Sequence, residues 1–142
     1  MMNQPCQVCE KKWPNEDYFI AELTHSKIYL HDDQFLPGWS VLVLKHHATE
    51  LFQLTSQLRY ELIDEVNLLA QTLEQTFQAV KINYSLLGNL VPHIHWHVTP
   101  RLKGDPLPLN PPFSIPHDIK ILNPEERLLR IEMIRKTLFT SP

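Results

Sequence analysis

Nowhere in the 142 residues is there a run of about 18 apolar side chains, so no segment reads as a membrane span. The start, Met1-Met2-Asn3-Gln4-Pro5, lacks the basic and apolar regions of a secretory signal. The chain is therefore expected to be cytoplasmic, with no membrane partner. An excess of one charge is missing too: 13 Lys and Arg face 16 Asp and Glu, which argues against a protein that grips a nucleic-acid backbone by bulk charge. Small anionic ligands stay open, because a few well-placed donors suffice for them. Internal repeats and low-complexity tracts are absent. Cysteine is almost absent, and the two present, Cys6 and Cys9, form a Cys-x-x-Cys pair. In a reducing compartment such a pair suggests metal or redox chemistry more than a structural disulfide. Three readings stand for it: half of a zinc site, an inert pair, or a thioredoxin-like couple. The last is disfavoured because no strand precedes the pair.

The apolar fraction of 43% is enough for one packed core, and residues 1–142 are read as one domain with its core in about residues 6–101. Tyr18 to Leu23 and Ser26 to Leu30 predict a hairpin, with Thr24-His25-Ser26 as its turn. After the Pro37-Gly38 turn, Trp39 to Leu44 is apolar on both sides and predicts a central strand. Thr49 suits the start of a short turn into Leu51 and Phe52. Thr55 can cap a long helix to about Ala79, with apolar residues at Leu58, Leu62, Val66, Leu69, Leu73 and Phe77 forming one face. Lys81 to Leu86 and Pro92 to Thr99 predict two more strands, separated by Gly88-Asn89. Prolines 106, 108, 111, 112 and 116 predict an extended surface arm over residues 105–117. Asn123-Pro124-Glu125-Glu126 then opens a C-terminal helix, about 124–139. The expected class is α+β: an antiparallel sheet of about five strands, a long helix packed on it and a C-terminal helix.

Eight histidines are present, three of them in the string His93-Ile94-His95-Trp96-His97-Val98-Thr99-Pro100-Arg101. Alternation in a strand puts His93, His95 and His97 on one face and Ile94, Trp96 and Val98 on the other, where burial fixes the register. A strand does not need histidine for packing, so the row points to chemistry. Two chemistries could use it. A zinc hydrolase could take His93 and His95 as ligands, or one imidazole could attack phosphorus while its neighbours set its tautomer and stabilise charge.

The string resembles the signature of the histidine triad (HIT) family, His-φ-His-φ-His-φ-φ with φ apolar, from which Thr99 is a mild departure. The order of elements is similar as well, over roughly Cys6 to Arg101. The resemblance implies a nucleotidyl hydrolase or transferase in which the middle histidine, His95, attacks the α-phosphate of a purine nucleotide and forms a nucleotidyl-histidine intermediate. Its substrate would be a dinucleoside polyphosphate such as diadenosine tetraphosphate, or a nucleoside phosphoramidate, and phosphorolysis would differ only in the acceptor. It further implies that His97 lies against the phosphate and that Asn89 replaces a Gln commonly found before the triad. Leu90 replaces a Ser or Thr and so loses a hydroxyl. Asn83 corresponds to an Asn near phosphate and ribose, and Asp32 or Asp33 would hold the ribose hydroxyls, although an ungapped match lands on His31.

Members with an N-terminal Cys-x-x-Cys resemble a subgroup that binds structural zinc, here through Cys6, Cys9, His47 and His93, with His46 as the alternative to His47. A homodimer is the expected assembly, and the Pro-rich arm would either cross to the partner or lie plainly on the surface. His25, His31 and His117 are read as surface residues. A zinc-dependent hydrolase built on the His row and a nucleotide-binding protein with little turnover are the rival readings.

Overall fold

The apolar run after Gly38 forms strand β3 (Ser40–Leu44), all five residues of which are buried, so both faces of the sheet are covered here. In the computed structural model, which describes residues 5–140, β3 lies at the centre of one antiparallel sheet. Its other strands are β1 (Phe19–Glu22), β2 (Ser26–Leu30), β4 (Lys81–Ser85) and β5 (His95–Arg101), in the order β1-β2-β3-β5-β4. Two helices complete it, α1 (Ser56–Phe77) and α2 (Pro124–Thr140). The α+β expectation holds, with five strands, one long helix and a C-terminal helix.

Local chemistry sets the helix ends. The Thr55 hydroxyl accepts the Leu58 N–H, and Gln78 ends α1 in the left-handed region at φ 52°. At α2, Asn123 accepts the Glu126 N–H while the Glu126 carboxylate accepts the Asn123 N–H, a reciprocal cap in front of Pro124. Leu62, Val66, Leu69 and Leu73 of α1 and Ile131, Ile134 and Leu138 of α2 are buried, three or four residues apart, against one face of the sheet. That face carries Ile28, Leu30, Leu42, Leu44, Ile94 and Val98.

The opposite face is smaller and partly polar. Tyr29, Val41 and Val43 form its apolar floor, covered by Val8 and Trp13 from the N-terminal segment and by Phe19 of β1. Antiparallel partners share a face, and the register pairs Val43 with His95 and Val41 with His97. Two histidines of the triad therefore stand on this second face, away from the helices.

Strand ends shift from the expectation at several places, and two of the shifts have a local cause. β1 begins at Phe19, because Tyr18 ends a short 3-10 turn, Glu16–Tyr18. β5 begins at His95 and extends to Arg101, whereas Pro92 to Thr99 was expected. The His93 N–H turns back to the Val91 carbonyl, so the chain bends before the ladder begins. Ile94 bridges the bend, donating to the Ala48 carbonyl and accepting from the Leu44 N–H.

The turn into β3 needs a residue without a side chain. Gly38 has φ +89°, and a methyl there would lie 2.6 Å from the Phe77 ring and 2.9 Å from Pro100. Gly38→Ala should therefore lower unfolding stability by about 2–4 kcal/mol, from the unfavourable backbone region together with overlap. Urea denaturation with unchanged slope would check this.

Candidate functional site

The three triad imidazoles differ in the state that their hydrogen bonds impose. A carbonyl can only accept, so wherever a ring nitrogen meets one, that nitrogen carries the proton. His95 Nδ1 lies 2.7 Å from the His93 carbonyl, which makes it the protonated nitrogen and leaves the Nε2 lone pair of His95 free. His93 is reversed: its Nε2 donates to the Leu44 carbonyl at 2.6 Å, leaving the lone pair on Nδ1. His97 receives a bond, since the Trp39 indole N–H donates to its Nδ1 at 3.1 Å. Its remaining proton is thus on Nε2. All three are buried, and desolvation lowers the affinity of each for a second proton. The effect is largest at His97, which is pushed down to about 3, first by burial and then by His31 and His95.

The free lone pair of His93 points into a cluster. Its Nδ1 is 3.4 Å from Cys6 Sγ, 3.8 Å from Cys9 Sγ and 3.3 Å from His47 Nδ1, and Cys9 Sγ is 3.4 Å from His47 Nδ1. These four ligand atoms lie within 4.8 Å of one another, a donor set that could hold a metal ion, and His46 is not among them. The Cys9 N–H points at Cys6 Sγ at 3.4 Å, a bond that favours a thiolate. Cys6 pushes the Cys9 thiol above its ordinary range through their hydrogen bond, with burial adding to it; a cation between the sulfurs would reverse that push.

Aromatic side chains wall the other two histidines. The Trp13 ring stands edge-on to His95 at 5.0 Å. Trp39 and Phe113 contact His97 at 5.7 Å and 5.1 Å and touch each other at 5.2 Å. His31 stacks on Trp39 at 4.1 Å with the rings 5° from parallel. His31 is therefore not a surface residue, and neither is His117, which stacks on Phe35 at 4.1 Å and meets Asp33 at 2.7 Å. Turn residues read as solvated are drawn inward because the chain beyond β5 folds back over them. His25 sits partly covered against Glu61.

The Pro-rich segment lies on the surface with most of its residues exposed, bent by turns and folded back on its own chain. Arg101, at the end of β5, uses all five N–H groups: two on Asp105, one on Asn83 Oδ1 and one each on the Leu107 and Asn110 carbonyls. This anchors the Pro-rich segment to its own chain and brings Phe113 over His97. The guanidinium also holds the Asp105 carboxyl below its usual range. Because Arg101 occupies the amide oxygen of Asn83, what this side chain has left to offer is the donor NH₂ group. Asn83 pairs with Thr99 and Ser85 with His97, so both share the triad face.

Asp33 and Asp32 part company. Asp33 is buried; one carboxylate oxygen accepts the Phe35 and Lys120 N–H groups and the other meets His117. Asp32 is exposed, accepts the Asp33 N–H, and lines a cavity of about 200 Å³ with Trp13, Tyr18, Leu30, His31 and Val41. A second cavity, of about 580 Å³, lies on the β4 side among Lys81, Asn83, Ser85, Arg101 and Lys103. Asn89 and Leu90 are exposed in the bend before the triad. Sequence reasoning missed Trp13, Trp39, Arg101 and Phe113 as parts of the site. The one available signal was the indole of Trp39, a donor leading into a strand whose side chains, Ser40 apart, are apolar.

Known proteins share this fold. The model of the HIT domain matches residues 14–104. The chain belongs to the HIT domain family. A HIT protein of Sinorhizobium meliloti 1021 is 31% identical, with a TM-score of 0.78 over 84% of this chain and 87% of its own. A Zn-bound HIT protein of Mycobacterium smegmatis, 19% identical, shares the fold with a TM-score of 0.67 over 94% of this chain and 91% of its own. Among curated proteins, the asymmetrical bis(5'-nucleosyl)-tetraphosphatase of Schizosaccharomyces pombe is 26% identical over 106 residues, 71% of this chain. The chain spans 58% of that relative's length.

The Asp33–His117 contact makes HIT-fold stability depend on pH. Asp33 raises the His117 pKa above its ordinary 6.5, so the contribution of His117 is complete below that value and is lost as pH rises through the raised one. The Asp33 pKa is lowered from 3.8, against the opposing effect of burial, by the Lys120 and Phe35 N–H groups and His117. Its contribution is present above 3.8 and is lost as pH falls through the lowered value. His117→Gln should flatten the decline of unfolding temperature above pH 6.5, read by thermal melts across a pH series.

Proposed function

We propose that this chain cleaves the α-phosphate linkage of a purine nucleotide derivative, a dinucleoside polyphosphate such as diadenosine tetraphosphate or a nucleoside phosphoramidate, through a nucleotidyl intermediate on His95. The observation that carries the reading is the bond from His95 Nδ1–H to the His93 carbonyl, which leaves Nε2 as a neutral nucleophile. In the first step the Nε2 lone pair forms a bond to the α-phosphorus, and the bond to the leaving group breaks with its electron pair. The ring becomes cationic, and the His93 carbonyl at Nδ1–H stabilises that charge. In the second step water attacks phosphorus, loses a proton, and the P–N pair returns to Nε2.

The other side chains have matching parts. His97 offers a neutral Nε2–H to a non-bridging oxygen, and the Asn83 amide, its oxygen held by Arg101, offers N–H donors to the phosphate. Asn89 is proposed as a further donor to the phosphate. Of the two acidic candidates for the ribose, Asp32 is the freer, since Asp33 is engaged within the chain. Cavities on both sides of the triad suit a substrate with substantial groups on both sides of the scissile bond.

The Cys/His cluster is proposed to hold structural zinc. A tetrahedral ion with ordinary Zn–N and Zn–S bonds separates its ligands by about 3.3 Å (N to N) and 3.6 Å (N to S). The separations here, 3.3 Å for His47 to His93 and 3.4–3.8 Å for sulfur to nitrogen, fit that geometry. Four protein ligands close the coordination, so the ion would tie the N-terminal segment to His93 in the bend that leads into β5. His95 is outside the cluster, which favours the nucleophile over a catalytic metal. A homodimer is part of the proposal.

Two experiments test this. Rapid quenching with diadenosine tetraphosphate and mass analysis should find a nucleoside monophosphate on the His95 peptide. His95→Ala should lose both the adduct and more than about a thousandfold in turnover, with metal retained. Retained turnover, or metal lost with activity, would sink the reading. Elemental analysis should give about one zinc per chain. Cys9→Ser should bring that near zero and lower the unfolding temperature.

A further inference from the structure

His97 is the triad member whose proton is fixed by a side chain and not by the backbone. Trp39 enters β3 directly after the Gly38 turn, is 2% exposed, and places its indole nitrogen 3.1 Å from His97 Nδ1. We propose that Trp39 is a positioning residue, whose indole N–H locks His97 in the Nε2–H tautomer so that the site receives a neutral donor at that position.

The choice of residue supports this. Indole is the one neutral side chain that only donates. A hydroxyl or carboxamide could reverse its role and accept from an Nδ1–H, leaving His97 free to change tautomer. Lysine or arginine would fix the tautomer but bring a charge into a dry pocket. With Trp39 in place, the opposite tautomer or the imidazolium would set two N–H groups against each other at 3.1 Å, each buried and unpaired. That opposition biases the tautomer by roughly a hundredfold.

The indole is also held against rotation. His31 stacks on its face at 4.1 Å and is itself held, its Nδ1 lying 3.1 Å from the Asp33 backbone nitrogen and 3.2 Å from the Asp33 carbonyl. Phe113 packs edge-on against both Trp39 and His97, so the folded-back arm closes the third side. The consequence lies in the direction of the hydrogen bond. An oxygen gaining charge on phosphorus is stabilised by an N–H and repelled by a ring lone pair. The catalytic half of this inference rests on the nucleotidyl-transfer reading above; the tautomer half does not.

Trp39→Phe keeps an aromatic ring against His31 and Phe113 and removes the donor. In case that variant fails to fold, β-(3-benzothienyl)alanine at position 39 replaces the N–H with sulfur at almost unchanged shape. Long-range ¹H–¹⁵N correlation spectra of the zinc-loaded chain should show wild-type His97 as Nε2–H alone, and the donor-free variants as a mixture or as Nδ1–H. With diadenosine tetraphosphate, kcat should fall about 10- to 100-fold while KM changes by less than about threefold and the adduct remains on His95. A wild-type His97 carrying Nδ1–H, or variants whose His97 spectrum is unchanged, would overturn the inference. So would a changed tautomer with kcat within about twofold of wild type. Absence of turnover in the wild type would instead overturn the nucleotidyl-transfer reading, and the spectra alone would then decide whether Trp39 sets the tautomer.

Discussion

The pairing of β3 with β5 is the constraint on which the site depends. Its register sets Val43 beside His95 and Val41 beside His97, placing both imidazoles on the face away from the helices. The last residue of β3 does more, since the Leu44 carbonyl accepts from His93 Nε2 and its N–H bonds the Ile94 carbonyl. A one-residue slip would exchange His95 and His97 for Trp96 and Val98 and bury two imidazoles in the helix-side core. The apolar row beneath the histidines makes that slip costly, so the core that stabilises the fold also aims the chemistry.

From that register follows a division of labour by proton. Each imidazole has one nitrogen tied to a group that only accepts or only donates: Leu44 carbonyl for His93, His93 carbonyl for His95, Trp39 indole for His97. The untied nitrogen is then a lone pair toward the Cys cluster, a free lone pair, and an N–H, in that order. Burial keeps the rings neutral and sharpens these distinctions.

The sheet face that carries the site is short of apolar cover, and the chain supplies cover from both ends. The N-terminal segment brings Val8 and Trp13 over Val41, Val43 and His95, and the Cys/His cluster is where that segment meets β5. The Pro-rich segment returns from β5 on the Arg101–Asp105 pair and lays Phe113 on His97. Proline suits this path, because a segment without ladder hydrogen bonds loses nothing by lacking N–H groups. Its ordering comes instead from one guanidinium with every donor matched.

Much was legible in the chain itself. Five strands, the capped helices and the alternation of the triad follow from local periodicity and capping chemistry, which act within a few residues and leave a direct trace in the order of side chains. The histidine row and the Cys pair likewise carry their chemistry in residue type and spacing. What the linear order could not settle was every relation between distant segments. That Arg101 gathers Asn83, Asp105, Leu107 and Asn110, that His31 and His117 turn inward, that Asp33 is consumed by Lys120 and His117, and that Trp39 meets His97 are contacts between parts of the chain far apart or bent back on themselves. Such contacts depend on directions that packing chooses after the strands have paired. The sequence by itself determined which groups could carry the chemistry; only the tertiary structure decided which nitrogen of each histidine holds a proton, because that choice rests with a partner brought in from elsewhere.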